Sequence, residues 1–280
     1  MLSPSPVRSA DARTFLFVPG DRPERFDKGF GSSADALILD LEDAVLPEKK
    51  TTARALVASW LHPDRPVWIR CNAAGTPWFA QDMELAALPG IAGVMLPKAE
   101  AIPGGLAELS ARLALPIIPL IETAEGLHRA LDTARCAGVL RLAFGSIDFQ
   151  VDLGLDGEDD ALLFARSQLV MVSRLAQIGR PLDGVTADVR NQELLRSETL
   201  RARRLGFGGK LCIHPGQVAT VHECLAPSSE QRAWAERVLA AVREGAPGAT
   251  TVDGKLVDLP VVKKAEQIAA MASASTGDTA

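Results

Sequence analysis

The chain has 280 residues, of which 47% are hydrophobic and 23% are charged, and its formal net charge is −5. This length and composition predict a globular protein with one large domain and a small appendage. The negative charge argues against a general nucleic-acid-binding surface. Residues 1–8 lack the apolar core of a signal peptide, and no apolar run approaches the roughly 18 residues that cross a bilayer. We therefore expect a cytoplasmic location, with no membrane or nucleic-acid partner.

Eight short apolar runs occur along the chain, and each ends in a polar or glycine-containing corner. The runs are 15–18, 36–39, 67–69, 93–96, 116–121, 141–144, 184–187 and 210–213. Mostly apolar runs of this length are typical of strands that are buried on both faces of a parallel sheet. Apolar residues at three- and four-residue spacing predict helices over 53–61, 123–131 and 161–175.

The alternation of strands and helices predicts an α/β fold, specifically a (β/α)8 TIM barrel. The structural alternative is a doubly wound open sheet, which normally has a glycine-rich phosphate loop after its first strand. The first corner, residues 19–25, reads Pro-Gly-Asp-Arg-Pro-Glu-Arg and lacks the G-x-G-x-x-G pattern. We therefore favour the barrel.

Residues 13–225 are predicted to form the barrel catalytic domain, and residues 226–272 a C-terminal helical extension that serves as a lid or a subunit contact. Ser228 and Gln231 have the spacing of a capping box at the start of a helix. A hairpin or loop is predicted around Asp253-Gly254, and a last helix over 260–271. Residues 1–12 and 273–280 are small, polar or proline-rich, and we expect them to be flexible tails.

The chain has four cysteines. None of them shows C-x-x-C spacing, so the sequence favours buried, reduced thiols over thiolate metal sites or a disulfide framework.

The functional site of such a barrel lies at the carboxyl ends of its strands. Charged residues that follow the predicted strands are therefore expected to face one mouth. They are Glu42, Asp43, Arg70, Lys98, Glu122, Asp148, Asp188 and His214. The pattern predicts a carboxylate-rich site.

Glu122 and Asp148 are candidate metal ligands. They follow the fifth and sixth runs, and neighbouring strands lie about 4.8 Å apart, so the two carboxylates can share one hard cation. No His-x-His or Cys cluster lies nearby, so oxygen ligands favour Mg²⁺ or Mn²⁺ over zinc. The alternative is that each carboxylate caps the following helix or pairs with a local arginine.

Arg70 ends the third predicted strand and has two open interpretations. Its guanidinium either forms a plain ion pair with Glu42 and Asp43 or, oriented by them, binds a substrate carboxylate bidentately. His214 precedes Pro215 and is interpreted as a fixed hydrogen-bonding residue rather than a base.

Three basic residues lie in the first loop and the first helix: Arg22, Arg25 and Lys28. They form either a solvated charge run or a contact for the phosphates of a large anionic ligand.

Seven motifs, in the same order along the chain, resemble those of the citrate lyase β-subunit-like branch of the HpcH/HpaI aldolase superfamily. They are VPGDRPERF at 18–26, LDLEDAV at 39–45, VMLPK at 94–98, LIETA at 120–124, FGSID at 144–148, GKLCIHP at 209–215 and DGKLVD at 253–258. The resemblance implies a homotrimer of (β/α)8 barrels. It also implies an acyl-CoA lyase that makes or breaks a carbon–carbon bond in thioesters of hydroxy-diacids with Mg²⁺.

The resemblance also assigns roles to individual residues. Glu122 and Asp148 take the places of the metal ligands, and Arg70 that of the arginine beside the substrate oxygens. Glu42 belongs to the acidic motif beside this arginine. Asp258 matches an acid that reaches into a neighbouring subunit's site.

Binding residues are implied in the same way. Arg22 and Lys28 match positions associated with the CoA phosphates, and Gly145 and Ser146 belong to the FGSID motif that contacts substrate or CoA. The chain also departs from the family pattern. After the seventh predicted strand it reads Gly-Val-Thr-Ala-Asp, residues 184–188, where many relatives read Gly-Val-Tyr-Thr-Asp, and it has no tyrosine. Ser-Ile also precedes Asp148 in place of the common Ala-Glu. The first departure concerns the substrate pocket rather than the metal centre.

The expected activity is Mg²⁺-dependent cleavage of citramalyl-CoA or malyl-CoA into an α-keto acid and a shorter acyl-CoA. One alternative is a thioesterase that acts on the same malyl-type thioesters. Another is a subunit that handles an acyl-carrier-bound citryl substrate inside a larger lyase complex. An aldolase of free pyruvate adducts is disfavoured by the extension that carries Asp258 and by Arg22 and Lys28.

Overall fold

A computed structural model describes residues 11–100, 105–157, 159–244 and 251–276. The chain forms two compact units, Met1–His222 and Glu223–Ala280. Of the predicted flexible tails, residues 1–10 and 277–280 lie outside the described residues. Ala12 is buried, and the last helix extends to Thr276.

Eight parallel strands of the first unit close into a barrel in chain order, which confirms the predicted (β/α)8 fold. The strands are β1 Thr14–Pro19, β2 Ala36–Asp40, β3 Val67–Arg70, β4 Ile91–Leu96, β5 Ile117–Ile121, β6 Arg141–Phe144, β7 Gly179–Asp183 and β8 Gly209–Cys212. The barrel is closed by parallel pairing of β1 with β8. Because all the strands are parallel, their carboxyl ends meet at one mouth.

Helices follow the strands along the chain. They are α1 Phe26–Phe30, α2 Lys50–Trp60, α3 Phe79–Ala86, α4 Leu106–Leu113, α5 Ala124–His128, α6 Ala130–Arg135, α7 Ser146–Leu153, α8 Asp159–Leu175, α9 Gln192–Leu205, α10 Val218–Leu225, α11 Ser229–Glu244 and α12 Leu259–Thr276. The predicted helix over 123–131 is interrupted at Arg129, where ψ is 1°. In the part of the chain that the structure describes, no helix is both long and apolar enough to cross a membrane.

Large apolar side chains fill the inside of the barrel. The cluster includes Phe15, Ile38, Trp68, Met95, Ile118 and Leu211. The rings of Phe15 and Trp68 meet edge to face, with centroids 5.7 Å apart. A Cβ atom at Gly93 would lie 2.4 Å from the Trp68 ring, so only glycine fits at this position. Because apolar side chains fill the interior, a polar site can form only at the mouth, where the polar strand-end residues lie.

The prediction of the seventh strand at 184–187 is wrong, because β7 ends at Asp183 and the apolar run follows it. Asp183 is fully buried. Its carboxylate accepts a hydrogen bond from Arg166 Nε at 2.8 Å and lies 3.6 Å from Lys210 Nζ. These positive charges compensate the buried acid. A strand that contains such an acid is not an apolar run, so the apolar pattern does not predict it. Asp188 consequently lies in the loop beyond β7 rather than at its end.

The second unit consists of α11, a hairpin and α12. Gln231 N donates to Ser228 Oγ at 3.1 Å, and Ser228 N donates to Gln231 Oε1 at 3.0 Å, so the predicted capping box is present. Strands β9 Thr251–Val252 and β10 Lys255–Leu256 pair in an antiparallel manner, which confirms the hairpin. The core of this unit contains Ala235, Val238, Val257, Ala265 and Ile268.

All four cysteines lie in the described part of the chain and are reduced thiols, as predicted. Cys71, Cys212 and Cys224 are buried, whereas Cys136 is half-buried. Burial raises the pKa of the Cys71 thiol and raises that of Cys212 to about 12, so both are protonated near neutral pH.

Candidate active site

Arg70 is fixed at the mouth of the barrel by a bidentate contact with Asp40. The two residues are register partners at the ends of β3 and β2. Arg70 Nε donates to Asp40 Oδ1 at 2.8 Å, and Nη2 donates to Oδ2 at 2.6 Å. The guanidinium carbon also lies 4.9 Å from the centre of the Phe17 ring. Two hydrogen bonds and a ring contact hold the planar group in one orientation.

Glu42 and Asp43 lie beside the same guanidinium. Glu42 Oε2 is 3.0 Å from Arg70 Nη1, and Asp43 Oδ2 is 3.6 Å from it. The sequence interpretation placed both acids near Arg70 but missed Asp40, which makes the closest contact. The register of β2 and β3 is the signal that identifies Asp40. Its Oδ1 also accepts a hydrogen bond from Glu42 N at 2.9 Å, which orients the corner that carries Glu42.

Lys98, two residues beyond β4, connects Glu42 with Glu122. Lys98 Nζ lies 3.2 Å from Glu42 Oε1 and 3.7 Å from Glu122 Oε1. Its backbone N–H donates to the same Glu122 oxygen at 2.9 Å. Lys98 has φ of 46°, in the left-handed region that residues other than glycine rarely adopt. One residue therefore binds Glu122 through both its backbone and its side chain.

Glu122 is buried at the end of β5 and lies close to Gly145, directly before α7. A Cβ atom at Gly145 would lie 2.6 Å from Glu122 Cβ and 2.7 Å from Oε2, so glycine permits this approach. Asp148 lies in the first turn of α7. Charged and polar residues line a cavity here: Arg70, Glu122, Ser146 and Asp148. Apolar lining residues of the same cavity include Phe17, Leu120, Phe144, Val185 and Leu211.

Two buried polar atoms of this cavity have no hydrogen-bond partner among the residues that the structure describes. They are Glu122 Oε2 and Ser146 Oγ. Buried polar atoms in folded proteins are nearly always satisfied. A carboxylate oxygen and a hydroxyl that both line a cavity without a partner therefore indicate a bound group that the chain does not supply.

Burial raises the pKa of Glu42 to about 7 and that of Glu122 to about 8. For Glu122, the charges of Glu42 and Asp148 add to the effect of burial, whereas Lys98 acts against it. Five carboxylates share this region with three cations, Arg70, Lys98 and Lys50: they are those of Asp40, Glu42, Asp43, Glu122 and Asp148. The surplus of acids makes a further cation electrostatically favourable.

The side chains present fit Mg²⁺. This ion is usually held by one or two carboxylates, and water or substrate oxygens complete its six ligands. Glu122 and Asp148 supply two carboxylates, and Glu122 Oε2 has no hydrogen-bond partner in the described part of the chain. Within the described ranges, no group of three or more His, Cys, Asp and Glu side chains is placed to hold a metal ion. The donors of the described residues thus suit a two-carboxylate magnesium site rather than a closed zinc site.

Replacing Glu122 with glutamine is expected to stabilise the metal-free protein, and more so as the pH rises. Folded Glu122 has a pKa of about 8, against an ordinary value of 4.5. Between these values the folded protein keeps a proton that the unfolded chain has released, so the free energy of unfolding falls with rising pH. The stability advantage of Glu122→Gln should grow by a few kcal/mol between about pH 5 and about pH 8.

Urea denaturation in the presence of EDTA measures this difference. The matched control is Glu193→Gln, on the exposed surface of α9, and it should show no such trend. A difference between Glu122→Gln and the unaltered protein that stays constant with pH would contradict the raised pKa.

Asp188 and His214 are exposed and form hydrogen bonds within their own loops. Asp188 Oδ1 accepts from Arg190 N at 3.0 Å, and His214 Nδ1 accepts from Gly216 N at 3.1 Å. The expectation that Asp188 ends a strand at the mouth is wrong, because β7 ends at Asp183. His214 caps a short helical turn, in agreement with its interpretation as a fixed hydrogen-bonding residue.

The remaining candidates are all exposed. Arg22, Arg25 and Lys28 are exposed, and Arg22 Nε is 3.9 Å from Asp21 Oδ1. In the second unit, Asp258 is exposed, and its Oδ1 accepts a hydrogen bond from Val261 N at 3.1 Å at the start of α12.

The fold and the site together define a class of (β/α)8-barrel protein with an acidic mouth beside an oriented arginine. Residues 13–215 match the family described as HpcH/HpaI aldolase/citrate lyase. The chain belongs to this family, as its motifs predict, and the citrate lyase β-like group within it is of the lyase type.

Two relatives and one solved structure illustrate the match. A citrate lyase subunit beta-like protein of Mycobacterium tuberculosis is 38% identical over 273 residues, which are 94% of this chain and 97% of the relative. A (3S)-malyl-CoA thioesterase of Cereibacter sphaeroides is 32% identical over 274 residues, covering 94% and 95%. The crystal structure of CitE from M. tuberculosis in complex with magnesium, acetoacetate and coenzyme A has a TM-score of 0.84 at 35% identity, covering 95% of this chain and 100% of that one.

Proposed function

We propose that this protein is a Mg²⁺-dependent carbon–carbon lyase that acts on acyl-CoA thioesters of hydroxy-diacids such as citramalyl-CoA or malyl-CoA. The products are an α-keto acid and a shorter acyl-CoA. The observation that carries the proposal is the buried, unpartnered Oε2 of Glu122 in a cavity that Asp148 and Arg70 also line. The CitE structure with magnesium, acetoacetate and coenzyme A supports the same combination of ligands.

Negative charge develops on oxygen in both directions of the proposed reaction. Cleavage between the α and β carbons converts the β-hydroxyl into the keto-acid carbonyl and leaves the thioester as an enolate. Mg²⁺ held by Glu122 and Asp148 supplies Lewis-acid stabilisation of this charge, worth several kcal/mol. Mn²⁺ has the same ligand preference and is expected to substitute for it.

The protein contributes fixed charges and donors around this centre. Arg70 adds positive charge beside the substrate oxygens. Asp40 holds the guanidinium in a fixed orientation through two hydrogen bonds. We assign Glu42 to the catalytic residues, since its carboxylate lies 3.0 Å from Arg70 and, together with Asp40, holds the guanidinium. The partner-free Ser146 hydroxyl and the adjacent Gly145 backbone provide contacts for substrate or CoA.

Coenzyme A is part of the substrate in this proposal. Arg22 and Lys28 are exposed cations in the first loop and α1, and we assign them to the CoA phosphates, to which guanidinium and ammonium groups bind readily. We also propose a homotrimer. Exposed apolar side chains on α7 and α8, among them Val151, Phe164 and Met171, suit contacts between subunits.

Asp258 is assigned to proton exchange at the enolate carbon of a neighbouring subunit's site. Asp258→Asn is therefore expected to lower kcat by about 10²–10⁴, the usual contribution of a general acid–base group. Asparagine caps helices as well as aspartate does, so the hydrogen bond from Val261 and the stability of the protein should be preserved. Steady-state kinetics together with thermal melting separate the two effects.

The matched control for Asp258→Asn is Asp253→Asn. Asp253 is an exposed hairpin residue of the same unit, 2.7 Å from Arg237, and the change should leave kcat unaltered. Unchanged kcat in Asp258→Asn would reduce this residue to a helix cap.

A thioesterase acting on malyl-type thioesters is the second candidate function. It is favoured by the (3S)-malyl-CoA thioesterase relative, and it would use the same cavity and cation. The two activities differ in which bond breaks, because a thioesterase releases free CoA and leaves the hydroxy-diacid intact.

Incubation of the purified protein and Mg²⁺ with citramalyl-CoA and malyl-CoA tests the proposal, with product identification by mass spectrometry and an EDTA control. A keto acid and a shortened acyl-CoA that disappear with EDTA are expected. Free CoA with intact hydroxy-diacid would identify the thioesterase. Absence of turnover would favour a subunit that handles an acyl-carrier-bound substrate within a larger complex.

A further inference from the structure

Lys98 has a position that the proposed reaction does not explain. Its ammonium lies between two buried carboxylates, 3.2 Å from Glu42 Oε1 and 3.7 Å from Glu122 Oε1. The Lys98 side chain itself is 41% exposed, whereas the side chains of Glu42 and Glu122 are 8% and 0% exposed. The Lys98 side chain thus extends from two buried acids to the solvent-exposed side of the site.

The backbone of Lys98 fixes which oxygen of Glu122 this ammonium meets. Residue 98 is in the left-handed conformation, and its N–H donates to Glu122 Oε1 at 2.9 Å. Backbone and ammonium therefore both face Oε1, and none of the described residues forms a hydrogen bond with Oε2. A cation at Oε2 and the ammonium near Oε1 would share one carboxylate, so their charges must repel each other.

We propose that Lys98 is the placeholder for the metal cation in the metal-free site and binds the anionic group of the substrate once the metal is present. Without metal, its ammonium faces the carboxyl groups of Glu42 and Glu122. With metal, the ammonium is no longer needed by Glu122, and its exposed stem makes it available to a carboxylate of the keto acid. This inference rests on the proposed function for the identity of the cation and of the anion.

Lys98→Met tests the inference, because it keeps the stem and the backbone N–H but removes the charge. Isothermal titration calorimetry of the EDTA-treated full-length protein with Mg²⁺ alone, at about pH 9 and therefore above the pKa values of Glu42 and Glu122, should show binding about fivefold tighter than for the unaltered protein, because one repulsive charge is gone. Titration of the Mg²⁺-loaded variant with pyruvate should show binding about tenfold weaker, because a charge-assisted contact is lost.

Two controls accompany this variant. Lys98→Arg keeps the positive charge and should retain both affinities within about threefold of the unaltered protein. Lys49→Met removes an exposed lysine that lies 3.4 Å from Asp21, and it should change neither affinity. Circular dichroism establishes that each variant is folded, and Lys98→Gln replaces Lys98→Met if the latter is not.

The outcomes separate the inference from the proposed function. Weaker or unchanged Mg²⁺ binding in folded Lys98→Met would mean that Lys98 has only a structural role. This result would overturn the inference but not the proposed function. Unchanged pyruvate affinity would remove its role with the substrate. Opposite shifts of the two affinities without any cleavage of CoA thioesters would support the inference and overturn the lyase. An unaltered protein that binds no Mg²⁺ would overturn both.

Discussion

Glu122→Gln is expected to abolish specific Mg²⁺ binding and to lower kcat for thioester cleavage by about a thousandfold or more. A Lewis-acid contribution of several kcal/mol corresponds to at least three powers of ten in rate, since each 1.4 kcal/mol is about tenfold. Glutamine has the size of glutamate and can still accept the hydrogen bond from Lys98 N, which is 2.9 Å from Oε1 in the unaltered protein. The variant therefore removes the charge with little change in packing.

Calorimetry with Mg²⁺, and steady-state kinetics at the Mg²⁺ concentration that saturates the unaltered protein, measure the two effects of Glu122→Gln. Asp148→Asn should reproduce both losses, because Asp148 supplies the second carboxylate of the site. Glu193→Gln, on the exposed face of α9, serves as the control and should resemble the unaltered protein. Normal Mg²⁺ affinity and normal cleavage in Glu122→Gln would rule out Glu122 as a metal ligand.

The sequence predicts seven of the eight strands because each of them overlaps a mostly apolar run. β7 differs, since it reads Gly-Arg-Pro-Leu-Asp over 179–183. Its buried Asp183 depends on Arg166 and Lys210, which lie on other elements of the chain. This compensation involves residues far apart in the sequence, so local hydropathy does not reveal it. The prediction therefore placed the seventh strand at the apolar residues 184–187 instead of at 179–183.

The same distinction applies to the site. Glu122 can be found from the sequence because a single acid ends a fully apolar run. Asp40 is also a strand-end acid, but its importance depends on its register with Arg70 across two strands. The role of Lys98 depends on a left-handed backbone conformation after a proline, and no local pattern in the chain predicts that conformation. The residue types in the sequence thus indicate the chemistry of the site. The partners of Asp40 and the backbone conformation of Lys98 can be identified only from the structure.

Arg70→Lys is expected to lower kcat/KM by about 10²–10³ while Mg²⁺ binding is retained. Lysine keeps the positive charge, so Asp40 and Glu42 are not left as uncompensated buried acids. It cannot, however, make two parallel hydrogen bonds to Asp40 and at the same time contact Glu42 Oε2, which lies 3.0 Å from Arg70 Nη1. A single mobile ammonium would therefore replace a fixed planar group beside the substrate oxygens.

Arg54→Lys is the matched control for Arg70→Lys, because Arg54 is also a buried arginine paired with an acid. Its Nη1 donates to Asp82 Oδ1 at 3.1 Å, and its Nη2 donates to Gln81 Oε1 at 2.6 Å. Kinetics, calorimetry and urea denaturation should show lower stability but unaltered kcat/KM for this control. If Arg70→Lys behaved in the same way, losing stability but not kcat/KM, Arg70 would be an ion-pair partner of the barrel mouth and not a substrate contact. A selective loss of kcat/KM with Mg²⁺ affinity intact would instead place Arg70 at the reacting oxygens, separate from the carboxylates that hold the cation.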